Sequence, residues 1–186
     1  LVSIDELGIK GDHNASNALA ASCAALALGI EPETIRRALR AFPPLEHRME
    51  PCGAVAGVAC VNDSKATNVD ATLKAFASFP SSLFLLGGHD KGTDLSPLVE
   101  AAKDGCKAVV CFGAAGRRFY DAFDGSGVRR VLVEHMEDAF DAALGLAVPG
   151  DTVVLSPACS SFDEFDSFEH RGRVFKQLVA FRAGRG

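Results

Sequence analysis

From residue 58 onward, short apolar runs alternate with stretches of helical periodicity. The runs are 58–61 (Val-Ala-Cys-Val), 83–86 (Leu-Phe-Leu-Leu), 108–112 (Ala-Val-Val-Cys-Phe), 131–133 (Val-Leu-Val) and 152–155 (Thr-Val-Val-Leu). Each is too short for a helix and lacks the apolar/polar alternation of a half-exposed strand, so each predicts a strand buried on both faces. Helical patterns at 67–77, 96–103, 115–123 and 136–147 separate them, and a last one spans 164–182. Strands joined through helices of this length need right-handed crossovers, which build a mainly parallel sheet with helices on both faces. Residues 49–55 and 57–62 read as a strand pair turning near Gly57. The expectation is an α/β fold with a doubly wound, Rossmann-like, mainly parallel sheet.

Ahead of this lies a different pattern. Residues 13–29 form an Ala-rich helix stopped by Gly29, apolar on nearly every side and so expected to be covered on more than one face. A second helix follows at 32–42, with Pro32 in its first turn, and Pro43-Pro44 ends it. Leu45 to Arg48 reads as a linker and marks a domain boundary between 1–46 and 47–186. The chain opens at Leu1 without an initiator Met, which reads as the back portion of a longer protein.

Composition narrows the function classes. Hydrophobic residues at 48% and charged residues at 23% suit a packed core, and a formal charge of −5 without Lys/Arg runs argues against a nucleic-acid stripe. The six cysteines (Cys23, Cys52, Cys60, Cys106, Cys111, Cys159) form no C-x-x-C pair and sit mostly in apolar runs, the pattern of reduced cytoplasmic thiols. No signal peptide and no stretch long enough to span a membrane is visible.

Three loops, each following a strand, hold the chemistry. In an open α/β sheet, ligands bind beyond the carboxyl ends of the strands. The first loop, Asn62-Asp63-Ser64-Lys65-Ala66-Thr67-Asn68, puts a carboxylate, an ammonium and a hydroxyl within five residues. The plainer alternative is a solvated Asp/Lys pair beside a helix capped by Thr67, with Asp70 completing a capping box. The second, Gly87-Gly88-His89-Asp90-Lys91-Gly92, is glycine-rich but lacks the Gly-Lys-Ser/Thr of a phosphate loop. Lys91 there suits a small carboxylate or phosphate, or is a mobile turn lysine. The third, Ser156 to Phe162, carries three hydroxyls toward a helix start, where free N–H groups favour an anion; Asp163 and Glu164 would cap that same helix. His13, His47, His89, His135 and His170 lack metal-ligand spacing and read mostly as surface or structural residues.

Together with His47-Arg48 and Phe168-Glu169-His170-Arg171-Gly172, these loops resemble the Mur ligase family in its carboxy-terminal part, and within it the branch that adds D-glutamate. Other Mur ligases and the folylpolyglutamate synthases carry different residues in place of Asp-Ser-Lys-Ala-Thr-Asn. The resemblance covers nearly the whole chain. It implies that 1–46 is the helical tail of a central ATPase domain, including His13-Asn14-x-x-Asn17, and that 47–186 is the carboxy-terminal Rossmann-like domain.

The resemblance further implies an ATP-dependent ligase of the cytoplasm. It would join D-glutamate to UDP-N-acetylmuramoyl-L-alanine through an acyl phosphate. The phosphate loop and the Mg2+ ligands would lie on the missing amino-terminal and central domains, so no metal ligand is expected here and the fragment alone would be inactive. By the same resemblance Asn14 and Asn17 contact adenine and Asp63 the ribose. Arg48 and Lys65 face the nucleotide or its transferring phosphate, and Thr67, Lys91, Ser161, Phe162 and Phe168 border the D-glutamate pocket. The contrasting reading is a free-standing nucleotide-binding or regulatory α/β module, which fold alone does not separate from the first.

Overall fold

The computed structural model describes residues 1–9, 12–43 and 45–184, with backbone alone at 12 and 13. The expected helix stop at Pro44 and the His13 side chain lie outside the described residues. The chain divides into two compact units, Leu1–Leu45 and Glu46–Gly186.

In the first unit, a short 3-10 turn at Ile4–Glu6 precedes α1 (Asp12–Ala27) and α2 (Pro32–Ala41). Gly29 takes the left-handed conformation (φ 78°) that ends α1, and the Ile30 N–H reaches back to the Ala25 carbonyl at 3.0 Å. Pro32 opens α2, and Arg40 in its last turn pairs with Glu6 at 2.7 Å. Leu7, Ala18, Ser22 and Ile35 are buried, but Leu19 and Leu28 stand 65% and 82% exposed.

The second unit is a six-stranded sheet in the order β1-β2-β6-β3-β4-β5. Its strands are β1 (Glu50–Val55), β2 (Val58–Asn62), β3 (Leu83–Gly87), β4 (Ala108–Phe112), β5 (Arg129–Leu132) and β6 (Thr152–Ala158). Only β1 runs antiparallel, paired with β2. Alternate side chains on the buried strands feed two cores, as a period of two requires. Phe84, Leu86, Val109, Cys111 and Val154 pack on one face with Phe76, Leu98 and Phe119 of α3 (Val69–Ser78), α4 (Ser96–Lys103) and α5 (Gly116–Ala122). Leu83, Leu85, Val110, Val153 and Leu155 pack on the other with Phe140 and Phe175 of α6 (Met136–Leu146) and α7 (Phe168–Ala183). Each fully buried Leu or Phe contributes roughly 1.5–3 kcal/mol, so this double layer is what holds the sheet.

The chain steps outward from β3 to β5 and then returns to insert β6 between β2 and β3. Such a reversal opens a crevice at the carboxyl ends of the strands. Pro157 lies inside β6 because the ladder breaks there. Pairing with β3 jumps from Leu85↔Leu155 to Gly87↔Ala158, so the proline owes no ladder hydrogen bond.

Two helix starts differ from expectation, those of α3 and α7. Asn68, not Thr67, caps α3: its Oδ1 accepts the Ala71 N–H at 2.9 Å. α4 starts at Ser96 as expected, with Asp94 Oδ1 accepting the Ser96 N–H at 3.0 Å and the Ser96 hydroxyl at 2.8 Å. α7 begins at Phe168 rather than 164, capped by Ser167, whose hydroxyl accepts the His170 N–H at 3.2 Å. The third loop therefore does not run into a helix N-terminus. Asp163 and Glu164 serve other segments instead, accepting from the Ala114 N–H at 2.9 Å and from the Met136 N–H at the start of α6.

Candidate functional site

Parallel pairing of β2, β6 and β3 as neighbours brings the three loops to one edge of the sheet. At the end of β2, Asp63 turns inward and is 4% exposed. Its Oδ1 accepts the Met49 N–H at 3.1 Å and its Oδ2 the Ser156 hydroxyl at 2.7 Å. Burial pushes this carboxyl up to about 6 against the opposing pull of those bonds and of the nearby Arg48. Asp63 thus ties the His47–Met49 segment to β6.

That segment is strained. His47 and Met49 have φ of 64° and 45°, a left-handed conformation costing about 1–2 kcal/mol for a side-chain-bearing residue. A dense network offsets the cost. The His47 N–H donates to Glu50 at 2.9 Å and its carbonyl accepts the Lys65 N–H at 3.0 Å. The Asn62 amide donates to His47 Nδ1 at 2.9 Å and to Glu50 at 3.0 Å. Gly172 on α7 is the one residue that fits against this ring, because a Cβ there would collide with His47 Nδ1.

Arg171 joins the first and third loops from below. It is 0% exposed and has no carboxylate ion-pair partner among the described residues. Its guanidinium donates to the Ser64 hydroxyl and carbonyl, both at 2.9 Å, to the Cys159 carbonyl at 3.0 Å and to the Ser160 carbonyl at 3.2 Å. Burial lowers it to about 10, which still leaves it charged at neutral pH. Gly88 reaches this point from β3: with φ 126°, a Cβ there would strike the Ser160 carbonyl. His89 then pairs with Ser160 across an isolated antiparallel bridge, its N–H on the Ser160 carbonyl at 2.9 Å.

Beyond His89 the second loop leaves the core. Lys91 is exposed and, among the described residues, pairs with no carboxylate. Arg118 on α5 fastens the loop from outside, donating to Asp90 and, at 2.5 Å, to the Thr93 carbonyl. On the third loop Ser161 is 1% exposed, and its hydroxyl has no hydrogen-bond partner among the described residues. Phe162 beside it is 71% exposed. Phe168 opens α7, with its carbonyl on the Ser64 hydroxyl at 2.8 Å and its ring under the Lys65 ammonium, 4.6 Å from Nζ to centroid.

Strand adjacency thus brings Asp63, Lys65 and Thr67 of the first loop, Lys91 of the second and Ser161 and Phe162 of the third to one edge of the sheet, with Arg48 near Asp63 and Phe168 under Lys65. Asn14 and Asn17 lie on α1 of the first unit; Asn17 is exposed and Asn14 half-buried. Arg171 and Arg118 were not singled out as site residues in the sequence, where each reads as an ordinary helix arginine.

His47 belongs to a cluster with Glu46 and Glu50 whose ligand atoms lie within 4.8 Å of one another. The donor set does not fit a metal ion. Lys176 already bridges the two carboxylates, at 3.1 and 2.7 Å. Asn62 Oδ1 accepts the Ser64 N–H at 3.2 Å, which turns the Asn62 amide nitrogen toward His47 Nδ1 and assigns the imidazole proton to Nε2.

Comparison with known proteins identifies the family. The family described as "Mur ligase, glutamate ligase domain" matches residues 47–159. The UDP-N-acetylmuramoylalanine--D-glutamate ligase of Koribacter versatilis is 45% identical over 96% of this chain and 39% of its own length. That of Acidobacterium capsulatum is 44% identical over 99% of this chain and 40% of its own length. The chain spans about two fifths of the length of the curated relatives it matches. Among solved structures, UDP-N-acetylmuramate-alanine ligase from Thermotoga maritima superposes with a TM-score of 0.67 at 17% identity, covering 94% of this chain and 39% of that one. Mycobacterium tuberculosis folylpolyglutamate synthase complexed with ADP gives 0.69 at 18%, covering 92% of this chain and 41% of that one. With the family match over 47–159 and the α/β fold shared with these structures, the chain belongs to the Mur ligase family and carries its glutamate ligase domain.

Proposed function

We propose that this chain is the carboxy-terminal part of an ATP-dependent ligase that joins D-glutamate to UDP-N-acetylmuramoyl-L-alanine through an acyl phosphate. The observation that carries the reading is the adjacency of β2, β6 and β3; in this reading Lys65 and Lys91, which pair with no carboxylate among the described residues, and the orphan Ser161 hydroxyl face one crevice. A dicarboxylate amino acid needs a cation and several neutral donors, and Lys91, Thr67 and Ser161 are of that kind. Phe162 then walls the pocket.

On the other side of the crevice, Arg48 and Lys65 suit a polyphosphate, since neither forms an ion pair with a carboxylate among the described residues. When bound, ATP with Mg2+ supplies the phosphoryl group that activates the substrate carboxylate. Arg48 and Lys65 orient that group and offset its charge, the dominant form of catalysis in phosphoryl transfer. Both Asp63 oxygens already accept protein hydrogen bonds, and a ribose hydroxyl would share their remaining lone pairs. Residues 1–46 are the tail of the central ATPase domain in this reading, with Asn14 and Asn17 toward adenine.

The test takes the parent protein carrying this segment, with ATP, Mg2+, UDP-N-acetylmuramoyl-L-alanine and D-glutamate, and follows phosphate release and the UDP-linked product together. Turnover that requires all three substrates and fails with L-glutamate is expected. Phosphate release indifferent to D-glutamate would refute the reading. The 186-residue chain alone should not turn over.

A further inference from the structure

Lys65 has an exposed side chain on a loop, and a free lysine side chain of this kind samples many rotamers. A phosphate-facing lysine must be held without being neutralised. A carboxylate partner would hold it but cancel its charge and occupy its N–H donors. Among the described residues no carboxylate lies within ion-pair distance of Lys65, and the nearby Glu169 acts on it only through space; its Nζ stands over the Phe168 ring, 4.6 Å from the centroid. The face of an aromatic ring attracts an ammonium through its quadrupole and leaves the outward N–H groups free.

The ring is itself placed by the network beneath the crevice. Phe168 is the first residue of α7, next to the Ser167 cap, and its carbonyl accepts the Ser64 hydroxyl at 2.8 Å. That same hydroxyl accepts from Arg171 at 2.9 Å. The Phe168 ring meets the buried His47 ring edge-on, at 6.0 Å and 85°, and the His47 carbonyl holds the Lys65 N–H at 3.0 Å. Backbone and side chain of Lys65 are therefore both referred to His47 and Phe168.

We propose that Phe168 is a positioning residue, an aromatic seat that holds the Lys65 ammonium in place and leaves it free to donate to an anionic group in the crevice. The anion being a phosphate rests on the ligase reading above; the seat does not. This gives Phe168 a role different from the pocket wall implied by the family resemblance.

The ring leaves a signature that a merely structural phenylalanine would not. In the 186-residue chain with isotope-labelled lysine, assigned through Lys65→Arg, the Lys65 ε-methylene protons should resonate upfield of the other lysines through the ring current. Phe168→Leu should return them to the common range, and Phe168→Tyr should keep them upfield. Wild-type Lys65 protons already in the common range overturn the proposal, whether or not the leucine variant folds. In the parent ligase, Phe168→Leu should lower kcat about two- to fivefold, the scale of an exposed cation–π contact, with KM for D-glutamate unchanged and activity restored by tyrosine. A rise confined to KM for D-glutamate overturns the proposal in favour of a pocket wall. A wild-type parent without ligase activity refutes the ligase reading instead, and the ring-current shift still decides the seat.

Discussion

Two sides of the same crevice are fastened by different physics. The β2 and β6 loops are wired together by Arg171, 0% exposed, through four hydrogen bonds to Ser64, Cys159 and Ser160. The β3 loop leaves the core after Gly88 and is tied from outside by Arg118, whose side chain is 41% exposed. A buried polar network is rigid when every member is satisfied and costly when one is removed. An exposed ion pair contributes about 0–1 kcal/mol and is weakened by salt. In the proposed ligase the residues facing the nucleotide, Arg48 and Lys65, stand on the rigid side. Lys91, facing the amino acid that must enter and leave, stands on the loose one.

The largest effect should come from Arg171→Met. It strips the donor from three carbonyls and a hydroxyl, and a buried acceptor left unsatisfied costs about 1–3 kcal/mol, so the set should cost about 3–5 kcal/mol after relaxation. At about 2–4 °C per kcal/mol for a chain of this size, thermal melts should fall by about 6–20 °C. Arg171→Lys should recover only part, since one ammonium cannot span both loops. A melt within a degree or two of the wild type would remove the basis of the contrast.

The next largest is a pH effect from Asp63. Its folded pKa of about 6 lies above the model-compound value of 3.8, so the native state holds a proton that the unfolded chain releases. Stability from this group is therefore present below about pH 4 and is lost as pH rises toward 6, by about 2–3 kcal/mol. Glu50, Asp94 and Asp151 are shifted the opposite way, so the contribution is isolated by difference. Denaturant titrations of the wild type and Asp63→Asn should show the wild-type advantage shrinking from pH 4 to pH 7. A constant difference across that range would contradict the buried setting of Asp63.

On the loose side, Arg118→Ala should cost about 1 kcal/mol or less, yet speed amide hydrogen exchange at residues 90–93 while leaving 63–66 unchanged. Equal acceleration in both loops would mean that they are one mechanical unit. The smallest effect is local. Cys159 is 2% exposed and burial pushes its thiol up to about 12, so its labelling at neutral pH reports opening of the β6 loop. Arg171→Met should speed that labelling, and Arg118→Ala should not.

Much of this was legible in the sequence. The buried strands announced themselves as apolar runs without alternation, and the three loops were visible as polar interruptions after them. What the sequence reading missed depends on contacts between distant residues. Asp163 and Glu164 look like the cap of the following helix, but they reach Ala114 and Met136, and α7 waits for Ser167. Thr67 and Asn68 are both good caps, and only the geometry of the β2 exit chooses Asn68. His47 reads as a linker residue, yet it is 3% exposed, because Asn62 and Gly172 close around it. Arg171 could have been suspected from its neighbours: an arginine beside Gly172, with Phe175 and Val179 on the buried side of α7, falls on the inward face.

In the proposed ligase, the loops after β2, β3 and β6 form one site in which Lys91 faces the D-glutamate carboxylate. Steady-state kinetics of Lys91→Ala in the parent ligase, with D-glutamate and ATP varied in turn, tests it most directly. A charge-assisted hydrogen bond contributes roughly 1.5–3 kcal/mol, so kcat/KM for D-glutamate should fall by about ten- to a hundredfold or slightly more, with KM for ATP near the wild-type value. Unchanged use of D-glutamate with impaired use of ATP would place Lys91 on the nucleotide side of the crevice instead.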